Sequence, residues 1–128
     1  MKKILPFIFA FIIFIGVYSC SSDSTSPIPT LVSFVMSHYT DADSTTWFAF
    51  KPNVNVKVDS IQSKLPANNF SYTSVNQNPS YVFSKDTTYN YEGFTGVHSG
   101  KKWEFYFFGT NATNNERFSN TKATYTIP

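Results

Sequence analysis

From residue 31 to residue 128 the chain carries apolar and polar residues in alternation, in short runs broken by turn-forming clusters, with no convincing helical period. Alternation at period two buries one face of a strand and wets the other. Val54, Val56 and Val58 alternate with Asn55, Lys57 and Asp59, and Phe70 and Tyr72 alternate with Ser71 and Thr73. Tyr89 and Tyr91 stand among Thr88, Asn90 and Glu92, and Ala123, Tyr125 and Ile127 stand among Lys122, Thr124 and Thr126. Leu31–His38, Trp47–Phe50, Tyr81–Phe83 and the aromatic run Trp103–Gly109 complete the expected strands. Seven or eight strands at about ten-residue spacing predict an all-β, two-sheet sandwich in one domain. The single Cys excludes a disulfide framework within the chain, so apolar burial must hold that domain together.

The first thirty residues read differently. Lys2 and Lys3 precede an uncharged apolar run from Ile4 to Tyr18, which fits the core of a secretory signal. It is short for a bilayer-spanning helix, which needs about 20 residues; a short uncleaved anchor is the alternative. Val17-Tyr18-Ser19-Cys20 resembles the lipobox of bacterial lipoproteins, with Tyr18 larger than the residue usual there. The resemblance implies a signal peptide over 1–19, lipid on the Cys20 thiol and anchoring to a membrane; the bland alternative for Cys20 is a free thiol in a loop. Each buried methylene contributes about 0.8 kcal/mol, and several acyl chains together give a stable anchor. Residues 20–30, rich in Ser, Thr and Pro, form a tether with no core of their own. The Asn- and Lys-rich composition, with Arg117 the one Arg, resembles that of Bacteroidota proteins, and Asp23 among serines after Cys20 resembles a weak form of their surface-routing signal; together they imply the outer membrane, on its periplasmic or cell-surface face.

Charge narrows the partners. The whole chain carries a formal +2. Loss of Lys2 and Lys3 leaves eight basic residues against eight acidic ones, so the mature chain is neutral. That gives no electrostatic case for nucleic acid.

One segment sharpens the fold. Val97-His98-Ser99-Gly100-Lys101-Lys102-Trp103-Glu104-Phe105-Tyr106-Phe107 resembles the E–F corner of fibronectin type III domains, within the wider immunoglobulin-like group. Val97 matches the aliphatic position, Gly100 the turn glycine and Trp103 the following aromatic; Ser99 stands in place of Pro and Trp103 in place of Tyr. The resemblance implies that Tyr89 and Tyr91 lie on the preceding strand, that Asn111–Asn120 is the next loop and that Lys122–Ile127 is the last strand. The Trp of that family's second strand is absent unless Trp47 serves for it.

Chemistry is sparse. His38 and His98 are the available imidazole bases, but no G-x-S-x-G nucleophile motif accompanies them. Glu92, Glu104 and Glu116 are the three Glu residues, and alternation turns Glu104 outward as an ordinary surface carboxylate. Asp41-Ala42-Asp43-Ser44 lacks the rest of a calcium loop and reads as an Asx turn. No Gly-rich phosphate loop is present. These readings give no catalytic residue, no metal site and no cofactor.

Two patterns remain. Four of the five Asp are followed by Ser or Thr and then by Thr or Ile, which resembles the O-glycosylation motif of exported Bacteroidota proteins and marks Ser24, Ser44, Ser60 and Thr87. Clustering of Asp and Ser in turns is the alternative. Tyr106 and Phe108 fall on the outward face of the Trp103 strand, where they form a binding patch for a partner or sugar ring, or else pair across to a neighbour such as Tyr72 or lie under a loop. The sequence therefore points to a lipid-anchored envelope module that binds a glycan, a protein or an outer-membrane complex. A small secreted hydrolase and an accessory subunit of a larger membrane complex are the alternatives.

Overall fold

The structure is a computed structural model that describes residues 31–128; the signal segment, Cys20, the tether and Ser24 lie outside the described residues. Seven strands form: β1 (Phe34–Thr40), β2 (Thr46–Pro52), β3 (Val56–Leu65), β4 (Phe70–Val75), β5 (Tyr89–Phe94), β6 (Lys102–Asn111) and β7 (Arg117–Thr126). They make two antiparallel sheets, ordered β1-β2-β5 and β4-β3-β6-β7. The two-sheet sandwich expected from alternation is the fold. A constant-type immunoglobulin domain sets its fourth strand beside the fifth. Here β4 lies beside β3 instead.

The core follows the pleat. Along β6, Trp103, Phe105 and Phe107 are buried while Glu104, Tyr106 and Phe108 are half-buried. Trp103 lies opposite Tyr125 on β7, and Phe105 opposite Ala123. The first sheet supplies Phe34, Met36, Phe48 and Phe50 to the same core. Phe34 stacks on Phe107 with ring centroids 3.7 Å apart, so β1 is stapled to the opposite sheet. Phe48 packs within 5.0 Å of both Trp103 and Phe105, at steep interplanar angles. Edge-to-face rings of this kind add to the burial energy of a sandwich that has no covalent crosslink among its described residues.

Four expectations shift. Tyr81–Phe83 is not a strand: only Phe83 bridges to Val56, and the segment crosses one end of the sandwich. The third strand does not stop at Val58 but continues to Leu65, with Ile61, Ser63 and Leu65 inward. The last strand begins at Arg117, so the loop before it is shorter than Asn111–Asn120. Trp47 does not enter the core. Its indole N–H donates to Asp41 at 2.9 Å, its ring covers Gly93 on the outer face, and Phe48 fills the core position. In the β5–β6 turn Val97 packs on the core and Gly100 has a φ of 79°, and Trp103 just beyond is buried. Among the described residues the Trp103 indole nitrogen has no hydrogen-bond partner.

Asn53, in the β2–β3 turn, clips the start of the domain. Its Oδ1 accepts the Ser33 N–H at 2.8 Å, its amide donates to the Leu31 carbonyl at 2.8 Å, and its own N–H donates to the Ser33 carbonyl at 3.1 Å.

Candidate functional site

A three-stranded sheet cannot cover a four-stranded one. The uncovered strand is β4, every residue of which is exposed or half-buried. Its inner face carries Phe70, Tyr72 and Ser74, opposite Leu65, Ser63 and Ile61 on β3. Phe70 touches Phe94 and Trp103 edge-on, and Tyr72 touches Phe94. Even so, Phe70 remains 38% and Tyr72 43% exposed. On the opposite sheet the edge is β5, where a bulge against β2 leaves Tyr91 as the extra residue. A bulge re-aims a side chain. Here the Tyr91 hydroxyl crosses to β3, donating to the Ile61 carbonyl at 3.2 Å and sharing a hydrogen with Ser63 Oγ at 2.9 Å. Burial pushes the Tyr91 hydroxyl up to about 12, with the Ser63 bond opposing the shift.

Between these two edges lies a groove of about 300 Å³. Phe50, Ile61, Phe83 and Tyr91 supply its apolar wall, and Ser60, Ser74, Asn76 and Asn90 its polar rim. Among the described residues no Lys, Arg, Asp or Glu lines it. The volume stands at the lower end for small-ligand sites. Its chemistry is neutral: ring faces for stacking, with amides and hydroxyls for hydrogen bonds. A smaller recess of about 170 Å³ near Leu31 and Phe118 falls below that range.

The residues singled out from sequence do not converge on this groove, except Ser60 on its rim. Tyr106 lies half-buried on the outer face of the second sheet. Its hydroxyl donates to Glu104 at 2.8 Å, and Lys64 and Lys122 stand 4.8 and 5.8 Å from its ring centroid. Lys122 also pairs with Glu104 at 3.0 Å. The Tyr106 hydrogen bond and Lys122 hold the Glu104 carboxyl below its ordinary range. Phe108 is half-buried between irregularities in both neighbouring ladders. Of the glycosylation candidates, Ser44 and Thr87 lie in exposed turns and Ser60 sits half-buried in β3.

The catalytic candidates are engaged or apart. His38 Nδ1 is 2.8 Å from the Tyr125 hydroxyl across the sheets, and His98 is exposed in the β5–β6 turn. Asp41 forms the expected Asx turn, accepting the N–H groups of Asp43 and Thr45 at 3.0 Å as well as the Trp47 indole. Those bonds, the Trp47 one first, lower its pKa. Among the described residues no three His, Cys, Asp or Glu gather as a metal site would require. Comparison with protein-family models, curated proteins and solved structures gives no match for the chain.

The exposed rings of β4 were not visible in the sequence, where Phe70 and Tyr72 read only as one face of a strand and Tyr72 as an outer-face neighbour for Tyr106; the structure turns Tyr72 inward against Phe94. The available signal was the strand count: seven strands split unevenly and leave one without cover.

Proposed function

We propose that the chain is a lipid-anchored module of the bacterial cell envelope, held at the membrane through Cys20, which binds a neutral glycan without catalysing a reaction on it. The observation that carries this reading is the uncharged groove between β4 and β5, with Phe50, Phe83 and Tyr91 as wall and Ser74, Asn76 and Asn90 as rim. Sugars present an apolar ring face and neutral hydroxyls, which match ring faces and amides without charge. A hydroxyl pushed up to about 12 cannot serve as a base near neutrality, so Tyr91 fits a binding role.

The test is retention of the detergent-extracted full chain on a panel of immobilised neutral polysaccharides, compared with Asn90→Ala and Phe83→Ala. Binding of the parent, with at least tenfold weaker binding by folded variants, supports the reading. A parent that binds no neutral glycan, or variants that bind as well as it does, refutes it.

A further inference from the structure

Exposed edge strands are normally guarded by charge, proline, a bulge or a covering loop. Among the described residues β4 has no such guard. Phe70-Ser71-Tyr72-Thr73-Ser74-Val75 carries no charge and no proline, and its pairing with β3 runs without a register shift. The edge can be read residue by residue. The Asn76 N–H donates to the Asp59 carbonyl at 2.8 Å, so Asn76 faces β3. Alternation then turns Ser74, Tyr72 and Phe70 toward β3, and leaves the N–H and C=O of Ser71, Thr73 and Val75 on the free edge. The Gln77 amide reaching the Val75 carbonyl at 3.4 Å agrees with that assignment.

We infer that this edge pairs with the same edge of a second copy of the chain, antiparallel about a two-fold axis at Thr73. The strand is its own complement. With Thr73 opposite Thr73 of the partner, Ser71 faces the partner's Val75, and each such pair exchanges two hydrogen bonds. On the inner face Tyr72 lies beside the partner's Ser74, so the exposed rings gain cover from a hydroxyl-bearing neighbour. On the outer face two Thr side chains meet, a favourable cross-strand pair. Beyond the strand, Asn69 approaches the partner's Gln77, so amide meets amide. No charge meets charge anywhere along this register. The result is one eight-stranded sheet across two sandwiches. The contact is a single strand pair, smaller than the roughly 1,000 Å² of a robust interface, so the dimer forms in a concentration-dependent way.

The register makes the test specific. In a hydrogen-bonded antiparallel pair the facing Cα atoms lie about 5.5 Å apart, within disulfide reach. Thr73→Cys in the detergent-extracted full chain, treated with a mild oxidant that takes up the two thiol hydrogens, should give a covalent dimer well above the wild-type background from Cys20. Ser71→Cys should not, because the two copies of residue 71 are offset by about 13 Å along the strands. Thr73→Lys, which sets two ammonium groups face to face, should weaken the wild-type dimer at least tenfold in sedimentation. A wild type that stays monomeric at every concentration overturns the inference. So does equal crosslinking at 71 and 73, a dimer indifferent to Thr73→Lys, or a Thr73→Cys crosslink to a different polypeptide.

Discussion

Tyr91, like Tyr125 with His38, is one of the places where a single oxygen ties the two sheets together. Its hydroxyl satisfies Ser63 Oγ, and Ser63 is fully buried. Tyr91→Phe removes the oxygen, keeps the ring and strands the Ser63 hydroxyl. An unsatisfied buried hydroxyl costs about 1–3 kcal/mol. For a domain of this size each kcal/mol shifts the melting temperature by about 4–8 °C. Ser63→Ala in the same background removes the stranded group and should restore part of the loss, which a double-mutant cycle measures. The pH dependence gives a second, independent reading. Burial holds the folded Tyr91 hydroxyl near 12, above the unfolded value of about 10. The folded state therefore keeps a proton that the unfolded state releases. The stabilisation is full below pH 10 and is lost as pH rises toward 12. Partial exposure of the group limits that loss to about 2 kcal/mol. Urea unfolding followed by Trp fluorescence between pH 7 and 11.5 should show the parent more stable than Tyr91→Phe at neutrality, with the gap closing in alkali. A melting shift under 2 °C at pH 7, or a gap that does not change with pH, would refute the account of Tyr91 as a cross-sheet tie.

Trp103→Phe should cost about 1–2 kcal/mol, because the indole N–H has no partner to lose, whereas Trp103→Ala should cost about 3–5 kcal/mol and leave little of the fold; equal damage from both, by thermal unfolding, would mean that the N–H is bonded. Gly109→Ala should destabilise by about 1–3 kcal/mol or more, since its Cβ would fall against the Lys57 backbone carbonyl in the neighbouring strand; an unchanged denaturation midpoint would show that β3 and β6 are not in this register. Cys20→Ala should move the protein out of the membrane fraction or block removal of residues 1–19; membrane retention with the signal removed would exclude lipid at that residue.

Strands with two unlike faces were the most legible in the sequence. β6 alternates buried Trp103, Phe105 and Phe107 with half-buried Glu104, Tyr106 and Phe108, and its inward face was assigned from the pattern alone. The second half of β3 was missed because Ser63 occupies a core position. Its polarity is tolerated only because Tyr91 reaches it from another sheet, a partner that no local period reveals. Tyr81–Phe83 is as aromatic as a strand, but Phe83 works as a plug, packing edge-on against Phe50 and Tyr89 where the chain crosses between sheets. The candidate groove was illegible for a related reason. Its wall and rim come from β2, β3, the crossing at Phe83, β4 and β5, and which of those residues meet depends on how seven strands divide between two sheets.

If the chain is anchored through Cys20 as proposed, the clip at Asn53 acts as strain relief: every tug then arrives at Leu31, and an unprotected β1 would pass it straight to Phe34 and Phe107. Asn53 grips the backbone at Leu31 and Ser33 just ahead of the strand, so three hydrogen bonds to one residue share the load before the β1–β2 ladder feels it. Like the collar on a cable where it enters a housing, it lets the line be pulled without drawing on the stacked rings inside.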